Sequence, residues 1–341
     1  MKKEYIIPIF VPHLGCPNDC TFCNQKKISG QKKNITKKDV AEIIEYYLQN
    51  FKDSDRKVEV AFFGGSFTGI PVQIQEELLS AAYTYIESGK VDSIRISTRP
   101  DYINKDILKL LKKYKVETIE LGVQSTNNYV LNKCKRGHDF NDVKKASKLI
   151  RKSKFILGHQ MMVGLPDSTK QDEIKTAKDL IKLHPKMIRI YPVLVIKDTQ
   201  LEKDFRSGEY IPNTLEQAVE TCSILLKMFK SKKIDVIRIG LQSTDEICNP
   251  ENETSQVVAG PYHPAFRQLV ESRIYYDEIS KKIKSLNNKV KNIKILVNPS
   301  HMNSFVGHKR ENVNRIKGIY NVNMKIVQDS NIKDYKIVEI S

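Results

Sequence analysis

Three cysteines lie close together near the start of the chain. Cys16, Cys20 and Cys23 have the spacing C-x3-C-x2-C and follow directly on a predicted strand. Thiolates this close on one loop can hold one face of an iron–sulfur cube, and three thiolates leave one iron of a [4Fe–4S] cluster open to another ligand. Structural zinc is the competing interpretation, since it needs four ligands and His13 lies nearby. No second C-x2-C pair follows downstream, so the spacing favours the cluster.

The other cysteines show no comparable pattern. Cys134, Cys222 and Cys248 are widely and irregularly spaced, and 6 cysteines in 341 residues are too few for a disulfide scaffold. The N-terminus has only a brief apolar stretch interrupted by proline, with no small-residue cleavage site. No run approaches the ~20 apolar residues of a membrane helix. We therefore expect a cytoplasmic chain with reduced cysteines and no membrane partner.

The chain is strongly basic. Its 57 Lys and Arg exceed its 40 Asp and Glu, for a net charge of +17. Between Lys281 and Lys317 ten residues are Lys or Arg, and Glu311 is the one acidic residue. Clustered cations of this kind bind nucleic-acid phosphates, but a general compositional bias toward Lys, or a solvated face, produces the same count. Charge alone leaves a nucleic-acid partner open.

Apolar runs of strand length alternate with helical patterns in the first part of the chain. The predicted strands are Tyr5–Val11, Val58–Phe63, Ser93–Thr98, Thr118–Gly122, Phe155–Val163 and Met187–Tyr191. The predicted helices are Lys38–Phe51 (with Thr36 as N-cap), Gln73–Ser88, Lys105–Tyr114, Phe140–Ser153, Lys170–Leu183 and Leu215–Lys232. This alternation implies parallel strands joined by right-handed crossovers. We therefore predict an α/β fold, a partial (β/α)6 TIM-like barrel, with a doubly wound open sheet as the alternative.

A domain boundary is predicted near residue 235. Residues 236–241 look like a further strand at the sheet edge, and the composition changes after Asn249. A helix from about Pro264 to Ser285 and short strands at 294–297 and 325–327 predict a small α+β unit. Residues 1–235 are accordingly assigned to the partial barrel and residues 236–341 to a C-terminal extension.

Small and polar residues lie at the carboxyl ends of several predicted strands. Four different predicted strands end at or next to such residues, namely Gly64-Gly65-Ser66, Ser97, Gln124 and Gly164. The cysteine loop follows the end of another strand. The loops at this face of a barrel converge and build its active site. The sequence therefore predicts that these residues share one site with the cysteines.

These motifs together resemble the radical S-adenosylmethionine (SAM) superfamily, whose hallmark is the C-x3-C-x2-C loop after the first barrel strand. The resemblance implies that Cys16, Cys20 and Cys23 hold three irons of a [4Fe–4S] cluster, whose fourth iron chelates SAM. Gly64-Gly65-Ser66 looks like the family's glycine pair that meets the methionine amino group. Glycine suits that place because the backbone must approach the ligand without a Cβ.

Three further positions resemble motifs of the coproporphyrinogen-oxidase-like and Elongator-like branches. Gly122-Val123-Gln124-Ser125 is similar to their G-[VIL]-Q-[ST] motif, and Arg136 fits the arginine twelve residues after the glutamine. The resemblance implies that Arg136 pairs with the SAM carboxylate and that Gly164-Leu165-Pro166-Asp167 lies near the adenine. Ser97 departs from the pattern, because relatives commonly carry an acidic residue near the ribose there. A serine is expected to bind the ribose as a neutral partner.

The C-terminal part is similar to the bacterial Elongator subunit 3-like group. Gly260–Ser272 (GPYHPAFRQLVES) is similar to that group's H-P-A-F-x-x-L-V-E segment, and Arg238–Thr244 and Gly307–Asn312 fit it too. Unlike the full Elongator enzyme, the chain is expected to have neither the long basic segment before the cluster nor the acetyltransferase domain. We therefore expect a short form that does not transfer acetyl groups.

The resemblance implies radical chemistry. A reduced cluster would cleave SAM to methionine and a 5′-deoxyadenosyl radical, which takes a hydrogen atom from the substrate. The electron would come from a donor such as flavodoxin or ferredoxin. No catalytic general base is assigned, and His159, Tyr191 and His263 are expected to be structural.

The leading hypothesis is an oxidoreductase or transferase that modifies tRNA or another nucleic acid. The alternatives are radical chemistry on a small metabolite, as in the coproporphyrinogen-oxidase branch, and a non-enzymatic, metal-stabilised RNA-binding module. The sequence does not fix the oligomeric state.

Overall fold

Strands and helices alternate along the chain. The computed structural model describes residues 3–11, 20–24, 35–53, 55–244, 246–286 and 290–341. The strands are β1 (Lys3–Val11), β2 (Arg56–Gly64), β3 (Ser93–Thr98), β4 (Val116–Gln124), β5 (Ile156–Val163), β6 (Met187–Pro192), β7 (Val195–Ile196), β8 (Asp235–Ile239), β9 (Val257–Ala259), β10 (Asn292–Val297), β11 (Asn323–Gln328) and β12 (Tyr335–Ile340). The helices are α1 (Lys37–Asn50), α2 (Val72–Glu87), α3 (Lys105–Lys113), α4 (Asn128–Lys133), α5 (Phe140–Lys152), α6 (Lys170–Lys182), α7 (Gln200–Ser207), α8 (Leu215–Ser231), α9 (Phe266–Ser285), α10 (Met302–Val306) and α11 (Glu311–Tyr320).

The predicted barrel elements all form, and each begins and ends within two residues of its predicted bounds. Thr36 caps α1 as predicted. Its hydroxyl accepts the backbone N–H of Asp39 at 3.3 Å, and the Asp39 carboxylate accepts the backbone N–H of Thr36 at 2.7 Å. The short helices α4 and α7 and the antiparallel pair β7–β9 were not predicted, because such short segments show no clear hydrophobic period.

Seven parallel strands form the main sheet. Their order is β1-β2-β3-β4-β5-β6-β8, and every neighbouring pair is parallel. The order follows the chain without reversal, whereas a doubly wound sheet reverses at a switch point. The predicted partial barrel is therefore confirmed, and β8 is the further edge strand that was predicted at residues 236–241. The division of the chain at residue 235 stays a prediction.

Contacts across the sheet show that it is curled. Arg95 on β3 donates from Nη1 to the Met187 sulfur on β6 at 3.1 Å. In a flat sheet, three spacings of about 4.8 Å would separate these strands by about 14 Å. Arg189 on β6 likewise lies over the Phe63 ring on β2, 5.1 Å from its centroid. These side chains meet on the concave face, which is the lumen of the partial barrel.

The convex face of the sheet forms the main core with the helices. Ile7 and Ile9 of β1, Val60 and Phe62 of β2 and Ile44 of α1 are fully buried together. Burying each such side chain stabilises the fold by about 1.5–3 kcal/mol before entropy is counted. Because side chains alternate along a strand, the intervening residues face the lumen.

The C-terminal extension has a small sheet and its own core. β10 lies between β11, which is parallel to it, and β12, which is antiparallel. Helix α9 joins the two cores, since Phe266 and Val270 pack in the main core while Ile279 and Ile283 pack in the second. The predicted α+β extension is therefore present. Among the described residues, no helix is long and apolar enough to cross a bilayer.

Candidate functional site

A cavity of about 120 Å³ lies at the carboxyl ends of β1 to β5. Its lining residues are Cys20, Phe22, Cys23, Gly64, Gly65, Ser66, Ser97, Thr98, Arg99, Gly122, Gln124, Arg136 and Gln160. Eight of them belong to the predicted site: Cys20, Cys23, Gly64, Gly65, Ser66, Ser97, Gln124 and Arg136. The fold thus gathers residues from the ends of β2, β3 and β4, from the middle of β5 and from the cysteine turn, although the ligand contacts assigned to them stay predictions. Cys16 lies outside the described residues.

Cys20 and Cys23 lie on one tight turn at the cavity wall. The backbone N–H of Cys23 donates to the Cys20 carbonyl at 3.0 Å, and the N–H of Thr21 donates to the Cys134 carbonyl at 3.2 Å. Within the described part of the chain no three His, Cys, Asp or Glu side chains form a metal site. Two thiols facing one cavity are nonetheless the soft donors that an iron–sulfur cluster takes. The donor chemistry therefore fits the predicted cluster.

Cys134 lies beside this turn and is not among the cavity-lining residues. Burial raises the pKa of its thiol to about 12. Its place outside the cavity lining gives no reason to add Cys134 to the three cysteines that are predicted to hold the cluster.

Arg136 connects the cysteine turn to the end of β4. Its Nη1 donates to the Cys20 sulfur at 3.3 Å, and its Nη2 donates to the Gly122 carbonyl at 2.7 Å. The residue is only 7% exposed. A buried guanidinium held at a fixed angle is a preorganised partner for a planar anion.

Gln124 lies at the end of β4 in a strained conformation. Its φ is +69°, in the left-handed region, and the β4–β5 register is irregular between Gly122 and Gln124. Its buried Oε1 has no hydrogen-bond partner among the described residues. A buried acceptor without a donor costs about 1–3 kcal/mol, and strain at a non-glycine residue is typical of binding sites. The orphaned oxygen therefore fits a site that receives a donor group from a ligand.

The Gly64-Gly65-Ser66 turn allows close backbone approach. Gly64 has φ +104°, and a Cβ there would lie 2.6 Å from the Val11 carbonyl oxygen on β1. The Ser66 hydroxyl makes its hydrogen bonds within the protein. It lies 2.7 Å from the Thr98 hydroxyl and accepts the backbone N–H of Arg99 at 3.1 Å. Ser66 therefore braces the adjoining β3 loop.

Ser97 is linked to a residue that the sequence did not single out. The Gln160 amide donates to the Ser97 hydroxyl oxygen at 3.2 Å and to Oε2 of Glu120 at 3.0 Å. Because Gln160 fills an acceptor position of Ser97, the serine keeps its own O–H to donate. Gln160 lies on β5, four residues before Gly164. The one signal in the sequence was alternation: its neighbour Met161 is buried on the helix side, so Gln160 faces the lumen.

A buried ionic network forms the wall of the lumen below the cavity. Arg95 forms ion pairs with Glu59 (Nη2 to Oε2, 2.6 Å) and with Glu120 (Nη1 to Oε1, 2.7 Å). Arg189 donates to both carboxylate oxygens of Glu120, at 2.6 and 3.0 Å. Burial would raise the pKa of Glu120, but the guanidiniums of Arg189 and Arg95 outweigh it and hold that pKa below its usual value. The network is therefore ionised and rigid, and it fixes Gln160.

Gly164 does not line the cavity. Its backbone N–H donates to Oε1 of Glu173 at 2.6 Å, and its carbonyl accepts the Tyr210 hydroxyl at 2.7 Å. Burial raises the pKa of Glu173 to about 7, although the hydrogen bond from Gly164 opposes this. The predicted adenine contact of the Gly164 turn stays a prediction.

His159 and Tyr191 lie on opposite faces of the sheet. His159 is 1% exposed and bonds through Nε2 to the Ser147 hydroxyl of α5 at 2.9 Å, on the helix side. Burial lowers its pKa to about 3, so it stays neutral. Tyr191 faces the lumen beside Arg189, and burial raises its pKa. Neither residue lines the cavity.

The chain matches two protein-family models. The Radical SAM superfamily model covers residues 10–180, and the Radical_SAM C-terminal domain model covers residues 185–276. A tRNA uridine(34) acetyltransferase of Methanocaldococcus jannaschii is 30% identical in an alignment of 187 positions, which covers 49% of this chain and 35% of that protein. An uncharacterized protein of the same organism is 32% identical in an alignment of 220 positions, which covers 61% of this chain and 67% of that protein. The chain thus spans about a third of the length of the acetyltransferase.

A solved structure has a similar fold. The archaeal Elp3 of Methanocaldococcus infernus, with an N-terminal deletion (1–46), aligns with a TM-score of 0.61 at 24% identity. The alignment covers 83% of this chain and 64% of that chain. At this identity the similarity concerns the fold.

Proposed function

The chain belongs to the radical SAM superfamily, and on that premise we propose that it cleaves SAM reductively to modify a nucleic acid. Enzymes of this superfamily use a [4Fe–4S] cluster and SAM, which when bound supply a 5′-deoxyadenosyl radical that removes a hydrogen atom from the substrate. Cys16, Cys20 and Cys23 would hold three irons of the cluster. The single observation that carries this proposal is the cavity in which Cys20 and Cys23 lie with Gly64 and Gln124 of two strand ends and with Arg136 of the α4–α5 loop.

The cavity residues suit the parts of SAM. Arg136 would bind the carboxylate through N–H groups at the edge of its guanidinium, whose plane is already fixed by the hydrogen bond to Gly122. The orphaned Oε1 of Gln124 would accept a hydrogen bond from an amino or hydroxyl group. Ser97 would donate to a ribose hydroxyl while Gln160 holds its oxygen.

The lumen would receive the substrate. On β1, Ile6 and Phe10 alternate with the buried core residues Ile7 and Ile9, so they face the lumen, where they are 42% and 37% exposed. Phe10 lies beside Phe63, with ring centroids 6.4 Å apart. An open aromatic surface next to the guanidinium of Arg189, which lies over the Phe63 ring, suits a planar ring.

A nucleic-acid substrate is supported by charge and by the relatives. The net charge is +17, and relatives include a tRNA uridine(34) acetyltransferase. Steep salt dependence of tRNA binding is the expected signature, because each phosphate contact releases counterions. Negligible affinity at moderate salt would favour the small-metabolite alternative.

Spectroscopy of oxygen-free protein tests the cofactor assignment. After anaerobic reconstitution with iron and sulfide and reduction with dithionite, the protein should show the electron paramagnetic resonance signal of a [4Fe–4S]⁺ cluster, and SAM should change that signal. A matched Cys222→Ala variant should behave like the wild type, because Cys222 is buried in the main core. Elemental analysis that finds one zinc and no iron in the anaerobically purified protein, before reconstitution, would instead favour the RNA-binding module.

A further inference from the structure

A second cavity lies between the barrel and the C-terminal extension. Its volume is about 600 Å³, and residues of α8, α9 and α11 line it. We call it the C-terminal cavity. It brings together two of the segments that resemble the Elongator-like group, because His263 of GPYHPAF and His308 of GHKREN both line it. Their ring centroids are 6.4 Å apart in an edge-to-face arrangement. None of the residues assigned to SAM or to the cluster contributes to it.

The loop that carries His308 is held in an unusual conformation. Gly307, Lys309 and Arg310 have φ of +81°, +48° and +63°. The Asn312 amide pins the loop, donating to the Ser272 carbonyl at 2.9 Å and to the Phe305 carbonyl at 3.0 Å. Left-handed backbone costs about 1–2 kcal/mol for a non-glycine residue, and such strain concentrates at binding sites. The strained pair Lys309 and Arg310 is exposed beside the cavity.

Arg315 is the least neutralised cation of the cavity wall. Its guanidinium lies 4.3 Å from the centroid of the Tyr276 ring, and among the described residues no carboxylate lies within ion-pair distance of it. Arg273, by contrast, donates to Asp277 at 2.9 Å and lies 3.9 Å from Glu216. A guanidinium stacked on an aromatic ring is fixed in its plane and matches a phosphate with two donors.

His263 adds a donor of known tautomer. Its Nδ1 accepts the backbone N–H of Ala265 at 3.1 Å. The neutral ring therefore carries its proton on Nε2 and can donate from there. The carboxylates of the wall are Glu216, which lies near Arg273, and Glu311 at the start of α11. Arg273 and Arg315 balance these two carboxylates on the wall, and the exposed Lys309 and Arg310 beside the cavity add two positive charges.

We propose that the C-terminal cavity binds a backbone phosphate of the RNA substrate, with Arg315 as its principal ligand and His263 as a second donor. This inference rests on the proposed function, because it assumes an RNA substrate. It assigns a contact outside the radical site that would orient the RNA relative to the barrel. A volume of about 600 Å³ admits a nucleotide unit.

Binding of unfractionated tRNA to the full chain, measured over a salt series, tests the proposal. Arg315→Gln should weaken binding at least tenfold and reduce the salt slope by about one. Arg315→Lys should keep the slope but recover only part of the affinity, since lysine lacks the planar fork. The matched control is Arg151→Gln, an exposed arginine on α5, which should stay within about twofold of the wild type.

Several results would overturn the assignment. Equal losses in the Arg315 and Arg151 variants would mean diffuse charge rather than a site, and so would an unaffected Arg315→Gln variant. Displacement of tRNA by AMP or inorganic phosphate at micromolar concentrations would mean that the cavity holds a free anion.

Formation of 5′-deoxyadenosine separates this proposal from the radical function. Wild-type protein that binds tRNA and forms 5′-deoxyadenosine, together with an Arg315→Gln variant that binds tRNA equally well, disproves the phosphate site alone. Arg315-dependent tRNA binding without 5′-deoxyadenosine disproves the radical function alone.

Discussion

Arg136 donates from Nη1 to the sulfur of Cys20 at 3.3 Å, across 116 positions of the sequence. The same guanidinium donates from Nη2 to the Gly122 carbonyl. The arginine that the sequence assigns to the SAM carboxylate therefore also contacts a predicted cluster ligand. An N–H donor on a ligand sulfur favours the reduced, more negative state of a cluster. If both assignments hold, this one side chain would act on SAM and on the cluster.

Replacing Arg136 should weaken SAM binding. Arg136→Lys keeps the charge but removes the planar fork, and we expect about tenfold lower affinity of the reconstituted protein for SAM, equivalent to about 1.4 kcal/mol. The cluster potential should also fall, because the donor to Cys20 is lost or displaced. Equilibrium dialysis with SAM and a redox titration followed by electron paramagnetic resonance measure the two effects. The control is Lys135→Gln, at an exposed neighbouring position, which should change neither the SAM affinity nor the cluster potential. An Arg136→Lys variant with wild-type SAM affinity and potential would contradict the role assigned to Arg136.

Gly64→Ala should destabilise the fold more than an equivalent change elsewhere. A Cβ at Gly64 would lie 2.6 Å from the Val11 carbonyl oxygen, and φ is +104°. Gly89 has a similar positive φ of +70°, but no atom lies within 4 Å of its Cβ position. We expect a loss of about 1 kcal/mol for Gly89→Ala and of about 3 kcal/mol for Gly64→Ala in urea unfolding. Equal losses of unfolding free energy in the two variants would show that β1 shifts to accommodate the added methyl group, and would contradict the prediction.

Most of the barrel was predictable from sequence because its strands are buried on both faces or alternate clearly. The run Val60-Ala61-Phe62-Phe63 predicted β2 directly, and Thr36 marked the start of α1. The site residues at strand ends were predictable from the same pattern, since parallel strands bring their carboxyl ends together. Gly64, Ser97 and Gln124 line the cavity for that reason.

The lumen network was not predictable in the same way. Glu59, Arg95, Glu120 and Arg189 are separated by 25 to 69 positions in the sequence, and only curling of the sheet joins β3 to β6. Alternation places each of them on the lumen face, but it does not name the partners. The link from Gln160 to Ser97 depends on the same curvature.

Removing Glu120 should be strongly destabilising. Glu120→Ala leaves the buried guanidiniums of Arg95 and Arg189 without this carboxylate, and we expect a loss of about 3–5 kcal/mol in urea unfolding. The control is Glu117→Ala on the same strand, whose 3.5 Å pair with Lys57 is about 42% exposed on both sides and is worth under about 1 kcal/mol. Comparable losses in the two variants would contradict a structural network. The pKa of Glu120 is lowered in the folded state. Its contribution to the free energy of unfolding is therefore complete above the unfolded pKa of about 4.3, and it is lost as the pH falls through the lower pKa of the folded state.

Glu173→Gln should stabilise the protein in a pH-dependent manner. Burial raises the pKa of Glu173 to about 7, and its ionised form therefore opposes folding once the pH exceeds the unfolded value. The gain from the variant should be near zero at pH 4 and reach about 3 kcal/mol at pH 8 as an upper bound. Gln keeps an oxygen that can accept the Gly164 N–H. Thermal unfolding at the two pH values measures this, with the exposed Glu209→Gln as control. A loss of stability at pH 8 would show that the charged hydrogen bond to Gly164 outweighs burial.

The decisive measurement is the production of 5′-deoxyadenosine from SAM by anaerobically reconstituted, dithionite-reduced protein. We expect 5′-deoxyadenosine from the wild type and from Cys222→Ala, and none above background from Cys20→Ala or Cys23→Ala, with all four proteins folded by circular dichroism. Equal yields from the wild type and the Cys20 variant would show that the radical mechanism is wrong.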